Sequence, residues 1–386
     1  MNDYIIWYPL WYPNRTDPYS GDFIQRHARA ASAFRNIEVV VAIRDISLPP
    51  GVTEEVRSEN GGLCETIIYY NTSNIRFRPL NRLMSFFKYR QILGSMSKRI
   101  FQLRGIPSAL HTHIYGKNCY VPWRLSYSSK VPLFYSEQQT GLVKEGAKTT
   151  MRWGLLSKFL LKKFLSRIKK SSFVSDYLGA SVRRFYPKLS YAVIPNVVDD
   201  NFFKPSSSVN NATTFQFIHI STLSYQKNFD DIITAIKYLT EKFINFELHV
   251  FGPFNNEWQN KIKNAGLEKY IYFEGEQPHE IILPFLQSSD ALILYSRFET
   301  FGCVVIEAMS CGVPVIVSDI SPMRELIREG KDGIIVAKED PVKLAETLYQ
   351  FTQYPLRPDK TALHREIAQR YGMKKIGELF ERFYRI

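Results

Sequence analysis

At 386 residues, the chain is long enough for two or three domains of ordinary size. Its 45% hydrophobic and 23% charged residues are normal globular values, which excludes general disorder and a disulfide-stapled miniprotein. The net charge of +13 is unevenly placed: residues 1–200 carry 29 Lys and Arg against 14 Asp and Glu, whereas residues 201–386 carry 21 against 23.

The basic surplus belongs to the first half and points to an anionic partner there, either nucleic acid or an acidic membrane surface. Four cysteines, Cys64, Cys119, Cys303 and Cys311, show neither Cys-x-x-Cys pairing nor a metal-spaced histidine. They read as buried thiols of a reducing cytoplasm, not as a zinc site.

The opening Met1-Asn-Asp-Tyr-Ile-Ile-Trp-Tyr-Pro lacks a basic region, and Pro9 and Pro13 come too early for the apolar core of a signal peptide. Tyr4–Trp7 is expected to be a first β-strand. Pro18-Tyr-Ser-Gly-Asp-Phe leads into a helical pattern over Asp22–Phe34, and further β-rich runs follow at Ile37–Ile43, Ala109–His113, Leu133–Ser136 and Tyr191–Ile194.

Two basic stretches interrupt this order. The Arg76–Arg90 stretch is rich in aromatics and is the better candidate for membrane contact. In 155–170, apolar residues 155, 156, 159, 160, 164 and 168 recur at helical spacing among lysines. Packing of that apolar stripe on the sheet is the expectation, with an anionic bilayer as the alternative. Without a nucleic-acid module, nucleic acid is a minor reading. All apolar runs are far shorter than the roughly 20 residues that span a bilayer.

A polar stretch, Lys204-Pro-Ser-Ser-Ser-Val-Asn-Asn-Ala, has linker composition and marks the domain junction. Beyond it, Phe215–Ile220, Phe246–Gly252, Ile271–Gly275, Ala291–Tyr295 and Val313–Ser318 are compact apolar runs separated by helix-length amphipathic sequence. That is the pattern of a parallel sheet covered on both faces. The fold class is therefore α/β, with two doubly wound, Rossmann-like domains facing each other across a cleft. No Gly-x-Gly-x-x-Gly follows the first strand and no Walker lysine motif occurs, which counts against dinucleotide enzymes and P-loop enzymes.

The segment richest in chemistry begins Ser296-Arg-Phe-Glu-Thr-Phe-Gly-Cys and runs on to Ala308-Met-Ser-Cys-Gly-Val-Pro-Val-Ile. Glu299 ends a loop after a buried strand, and Glu307 lies eight residues later in the next helix. Between them, Thr300-Phe-Gly-Cys opens that helix, where backbone N–H groups and the positive dipole end suit a phosphate. A carboxylate on each side suits hydroxyls of two sugars flanking a diphosphate.

In these residues the chain resembles the retaining GT-B glycosyltransferases of family 4, whose Glu-x7-Glu motif matches Glu299 and Glu307. Ile194-Pro-Asn-Val-Val-Asp and Gln226-Lys-Asn extend the match in order along the chain. The resemblance implies that Glu299 contacts the donor sugar, that Glu307 holds the ribose, and that backbone at Phe301, Gly302 and Cys303 approaches the sugar or diphosphate. Lys227 corresponds to the family's diphosphate-binding lysine, while Thr222 stands where an arginine is usual. Gly252 belongs to the same donor-binding set.

In the first domain, Gly21 resembles the family's glycine loop, with Ser20 replacing one of two glycines. His111 and His113 resemble its His-x-His, with His113 as a catalytic candidate or a hydrogen-bonded core histidine. Gln138 stands where relatives commonly have histidine; its amide bonds a sugar hydroxyl but carries no proton. Glu137 beside it is a candidate near the acceptor or one more loop carboxylate.

By this resemblance, residues 1–200 form an acceptor-side domain and 201–365 a nucleotide-sugar domain, with a last helix, about 366–386, returning to the first. The implied activity is retaining transfer of a sugar from a nucleotide-sugar to a hydroxyl of a glycan or lipid-linked glycan, in bacterial surface polysaccharide synthesis. No metal or other cofactor is expected. The enzyme is expected in the cytoplasm, with peripheral attachment to the inner face of the cytoplasmic membrane as a further expectation. The alternatives are a catalytically silent family member in a polysaccharide assembly complex, to which Thr222 and Gln138 point, and a GT-B-shaped epimerase or phosphorylase.

Overall fold

The computed structural model describes residues 3–72, 78–142, 155–206, 214–242 and 244–385. The chain divides into two units, Met1–Val197 with Met373–Ile386, and Val198–Gly372.

The first unit is built on β1 (Tyr4–Pro9), β2 (Asn36–Arg44), β3 (Thr53–Asn60), β4 (Leu63–Tyr70), β5 (Ala109–His113), β6 (Leu133–Glu137), β7 (Lys170–Phe173) and β8 (Tyr191–Val193), ordered β3-β4-β2-β1-β5-β6-β7-β8. Every pairing is parallel except the β3–β4 hairpin. β1 is buried along its whole length because helices cover both faces of the sheet. At the sheet edge, β3 is exposed throughout and carries Glu54, Glu55, Arg57 and Glu59, charges that blunt an open edge against pairing with another chain.

The helices of this unit are α1 (Asp22–Ser32), α2 (Arg78–Arg104), α3 (Tyr120–Ser128), α4 (Leu155–Leu165) and α5 (Asp176–Phe185). α4 corrects the packing expected for residues 155–170. Leu161, Phe164 and Leu165 are buried, but Leu155, Leu156, Phe159 and Leu160 face solvent. The helix ends at Leu165 as the chain descends to β7, so its C-terminal turn meets the core while its first two turns do not.

The second unit contains β9 (Phe215–Ile220), β10 (Phe246–Phe251), β11 (Ile271–Gly275), β12 (Ala291–Leu294), β13 (Val315–Ser318) and β14 (Gly333–Val336), ordered β11-β10-β9-β12-β13-β14 and wholly parallel. Its helices are α6 (Phe229–Thr240), α7 (Asn256–Ala265), α8 (His279–Ser288), α9 (Cys303–Ser310), α10 (Ser321–Leu326), α11 (Pro341–Gln353) and α12 (Lys360–Tyr371).

Where one terminal helix was expected, there are two. α12 ends at Gly372, which has extended backbone as the cap, and α13 (Met373–Tyr384) belongs to the first unit. Gly377 lets α13 approach α1 closely: a Cβ there would lie 2.3 Å from the Ala30 carbonyl oxygen. Ile376, Phe380, Phe383 and Tyr384 then join the first core, and Arg35 pairs with Glu381 at 2.5 Å.

In each sheet the strand order reverses direction once, between β1 and β5 in the first and between β9 and β12 in the second. Loops diverge at such a point and leave a crevice at the strand C-termini, where ligands of open α/β sheets bind. Among the described residues, no helix is long and apolar enough to cross a membrane.

Candidate functional site

The loops leaving β9 and β12 meet at the second switch point. After β9, Ser221, Thr222 and Leu223 lead to a short 3-10 turn, Tyr225–Lys227, and Asn228 then caps α6. Leu223 has φ 50° and Asn228 φ 54°. A left-handed conformation is uncommon for a leucine, and such strain persists only where surrounding bonds enforce it. The Ser221 hydroxyl accepts from Leu223 N at 3.0 Å and bonds His219 Nε2 at 2.8 Å, while His219 Nδ1 donates to the Ile293 carbonyl at 2.8 Å. Gly252, at the end of β10, is needed because a Cβ there would lie 2.0 Å from the Ser221 carbonyl oxygen.

This loop delivers Lys227 onto Glu299. Lys227 Nζ lies 2.5 Å from Glu299 Oε1, to which the Ser296 hydroxyl also donates at 2.9 Å; Gln226 Nε2 donates to Oε2 at 3.0 Å. Arg297 N donates to the Gln226 carbonyl and its guanidinium to the Tyr225 carbonyl, which stitches the two loops together. Ser318 at the end of β13 donates to the Ser296 carbonyl. Glu299 is buried, and Lys227 is largely so.

Glu299 is followed by buried Thr300 and Phe301, whose ring packs edge-on against Tyr371. Gly302 caps α9 with φ 118°, and its missing side chain leaves room for Met323. Partly exposed Gly302, Cys303 and Val304 form the opening of the helix, and Glu307 is buried one turn further on. Of the residues singled out in this domain, Lys227, Glu299, Phe301, Gly302, Cys303 and Glu307 are thus on the two loops and helix of one switch point. Thr222 is exposed and bonded to Ser224. Gln226 and Ser296 stand in the quoted motifs but were given no role there, and His219, inside the apolar run of β9, was missed.

At the first switch point, Gly21 caps α1 with φ 65°, and a Cβ would lie 2.5 Å from the Trp11 backbone. Its glycine is required by the Trp11–Tyr12 backbone as well as by its conformation. His113 ends β5 fully buried, its ring against Trp7 and His111, with neither ring nitrogen hydrogen-bonded among the described residues. Ile114, which follows, has φ 64°, a genuine outlier for a β-branched residue. Glu137 fixes the neighbourhood: it accepts from Gln138 N, Gln139 N, Tyr115 N and the Tyr135 hydroxyl. Burial raises its carboxyl above the ordinary range against these bonds.

Gln138 Nε2 donates to His27 Nδ1 at 2.8 Å, and His27 Nε2 donates to the Pro195 carbonyl. That carbonyl accepts only, which assigns the proton to Nε2. His111 bonds Tyr384 of α13 at 2.5 Å and Ser136 at 2.8 Å, so the returning helix is locked to β5.

Burial pushes the imidazoles of His27 and His219 down to about 4, and those of His111 and His113 well below the ordinary value. The unfolded chain takes up these protons near ~6.5, whereas folded His27 and His219 take them up only at about 4 and folded His111 and His113 only well below the ordinary value. Their contribution to stability is therefore present above about pH 6.5 and is lost as pH falls toward 4, by up to ~1.4 kcal/mol per pH unit for each imidazole. The expected result is a thermal midpoint that drops steadily from pH 7 to pH 5. A midpoint independent of pH over that range contradicts the buried neutral histidines.

Residues 200–368 match the family model described as glycosyl transferases group 1. Among curated relatives, the chain is 31% identical over 176 residues to the N-acetyl-alpha-D-glucosaminyl L-malate synthase of Bacillus anthracis, covering 43% of this chain and 44% of the relative. It is 27% identical over 189 residues to the putative colanic acid biosynthesis glycosyltransferase WcaL of Escherichia coli, 47% of each. The chain thus matches less than half the length of these relatives.

Similarity to solved structures extends over the whole chain. Sucrose-phosphate synthase from Thermosynechococcus elongatus aligns with TM-score 0.78 at 16% identity, covering 99% of this chain and 98% of that one. Anabaena HepE in complex with UDP and glucose aligns with TM-score 0.72 at 17% identity, covering 99% of both. The chain has the GT-B fold, and its residues 200–368 are similar to the glycosyl transferases group 1 family.

Proposed function

We propose that the protein is a glycosyltransferase that moves a sugar from a nucleoside-diphosphate sugar to a hydroxyl of a glycan or lipid-linked glycan, in bacterial surface polysaccharide synthesis. The observation that carries this is the Lys227–Glu299 pair at the β9/β12 switch point, beside the opening of α9 and Glu307. An ammonium and a helix N-terminus are the groups that stabilise a leaving diphosphate. Carboxylates beside them bind sugar and ribose hydroxyls. The solved complex of HepE with UDP and glucose, and the similarity to the putative colanic acid biosynthesis glycosyltransferase WcaL, support the donor class and the pathway class.

Transfer occurs with retention. As the bond from the anomeric carbon to the diphosphate oxygen breaks, the acceptor oxygen attacks on the same face and its proton passes to the leaving phosphate oxygen. No protein base is needed, which fits Gln138 in place of histidine. His113 and Gln138 enter as positioning residues, since both are buried and Gln138 is bonded to His27. The second domain takes the donor and the first the acceptor, in the cytoplasm, where the four free thiols are stable.

A panel of nucleoside-diphosphate sugars screened by thermal shift identifies the donor. With the nucleotide so found, Glu307→Ala is expected to weaken binding by about 1–3 kcal/mol, the scale for a lost charged hydrogen bond. Calorimetry showing unchanged affinity in a folded variant removes Glu307 from the site.

A further inference from the structure

The first domain carries a surface poor in acids with apolar side chains pointing outward; Glu55 of β3 pairs with Arg99 toward the C-terminal end of α2, away from its first turns. Between Glu65 and Asp176 the sequence holds 20 Lys and Arg but only two carboxylates, Glu137 and Glu145. Glu137 is buried, and Glu145 and Arg76 lie outside the described residues.

α4 exposes Leu155 (87%), Leu156 (70%), Phe159 (61%) and Leu160 (48%) beside exposed Lys158, Lys162 and Lys163. The first turns of α2 likewise expose Leu83, Met84 and Phe87 around exposed Arg82. An aromatic row on α3 joins the two. Phe86 of α2 meets Tyr120, Tyr120 meets Trp123, and Trp123 meets Tyr127. Arg90 lies 3.7 Å from the Tyr120 ring centroid, Lys163 5.6 Å from Trp123 and Arg167 4.5 Å from Tyr127. α2, α3 and α4 therefore present one continuous basic and aromatic face with aliphatic ends.

We infer that this face docks on an anionic lipid bilayer, with the exposed apolar residues of α4 and α2 inserted among the headgroups and the lysines and arginines on their phosphates. Charge complementarity selects the occupant. A second copy would bring the same cations against these. Nucleic acid would satisfy the charges and stack on the rings, but it leaves the exposed leucines without an apolar partner. A bilayer interface satisfies all three. The inference stands on the first domain alone and needs no sugar donor.

The test is sedimentation of the full-length protein with vesicles of phosphatidylglycerol and phosphatidylcholine. Wild type is expected to bind phosphatidylglycerol-rich vesicles at low salt, and pure phosphatidylcholine vesicles far more weakly. Each lysine at an anionic surface contributes about fivefold in affinity, so K158Q/K162Q/K163Q should bind about a hundredfold more weakly. L155S/L156S/F159S/L160S keeps the charge and alters only exposed residues, and it should lose at least about tenfold. An unchanged thermal midpoint and nucleotide affinity in both variants show that the fold is intact. The inference is overturned if wild type ignores phosphatidylglycerol at low salt, or if the four-serine variant binds like wild type. Binding of single-stranded RNA without vesicle binding also overturns it, as does a dimer that dissociates in the four-serine variant.

Discussion

Lys227→Gln is expected to lower sugar transfer by about 10²–10³, the cost of removing one preorganised donor from a site where negative charge develops. The magnitude is at the upper end because Thr222, where relatives have an arginine, is a neutral hydroxyl, and Arg297 is turned to the Tyr225 carbonyl and Glu339. In the proposed reading, Lys227 is thus the cation that the β9 loop offers to the diphosphate. Its removal also leaves the Glu299 carboxylate held by Ser296 and Gln226 without its cation. Breaking a largely buried pair from one side is costly, so a lower thermal midpoint should accompany the lost turnover. Steady-state kinetics and melting of the same preparation check both. Turnover near wild type would remove Lys227 from the chemistry.

Glu299→Gln should act differently. The amide preserves shape and one acceptor oxygen but removes the charge, and the proposed partner of that charge is the sugar, where positive charge develops as the bond to the leaving phosphate breaks. Transfer should therefore fall by at least about tenfold while affinity for the nucleoside diphosphate changes little, a loss confined to the transition state. Equal losses in turnover and nucleotide affinity would instead assign Glu299 to ground-state binding. Ser296 donates to Oε1, the oxygen that Lys227 also contacts, and Gln226 to Oε2, so the same split should appear, more weakly, on replacing either by alanine.

The strands that carry the site were legible because each reads as a compact apolar run, buried throughout in β12 and through the centre of β9. Phe215–Ile220 and Ile271–Gly275 occur with the bounds expected for them. β3 and β7 were not legible. β3 is an exposed edge strand of glutamates and polar residues whose partner, β4, supplies the burial, and β7 is only four residues long with two serines. The apolar spacing in 155–170 correctly indicated a helix, but periodicity does not say what covers a face, and α4 turns its first leucines to solvent. Glu299, Glu307 and Lys227 were readable as residues. Their assembly was not, because the Lys227–Glu299 pair depends on β9 and β12 being neighbours at the point where the strand order reverses. His113 shows the same limit: the His-x-His pattern marks the end of β5, and only packing against Trp7 and His111 reveals that the ring is enclosed.

The reading of a working transferase differs from that of a silent binding subunit in one quantity, the release of nucleoside diphosphate from the sugar nucleotide that stabilises the protein. Release should be followed with wild type, Lys227→Gln and Glu299→Gln in the presence of candidate glycan and lipid-linked acceptors. The account predicts acceptor-dependent release by wild type that falls by at least about tenfold in each variant. Tight binding of the sugar nucleotide with no release above background, whatever the acceptor, would contradict it and leave a nucleotide-binding subunit in place of an enzyme.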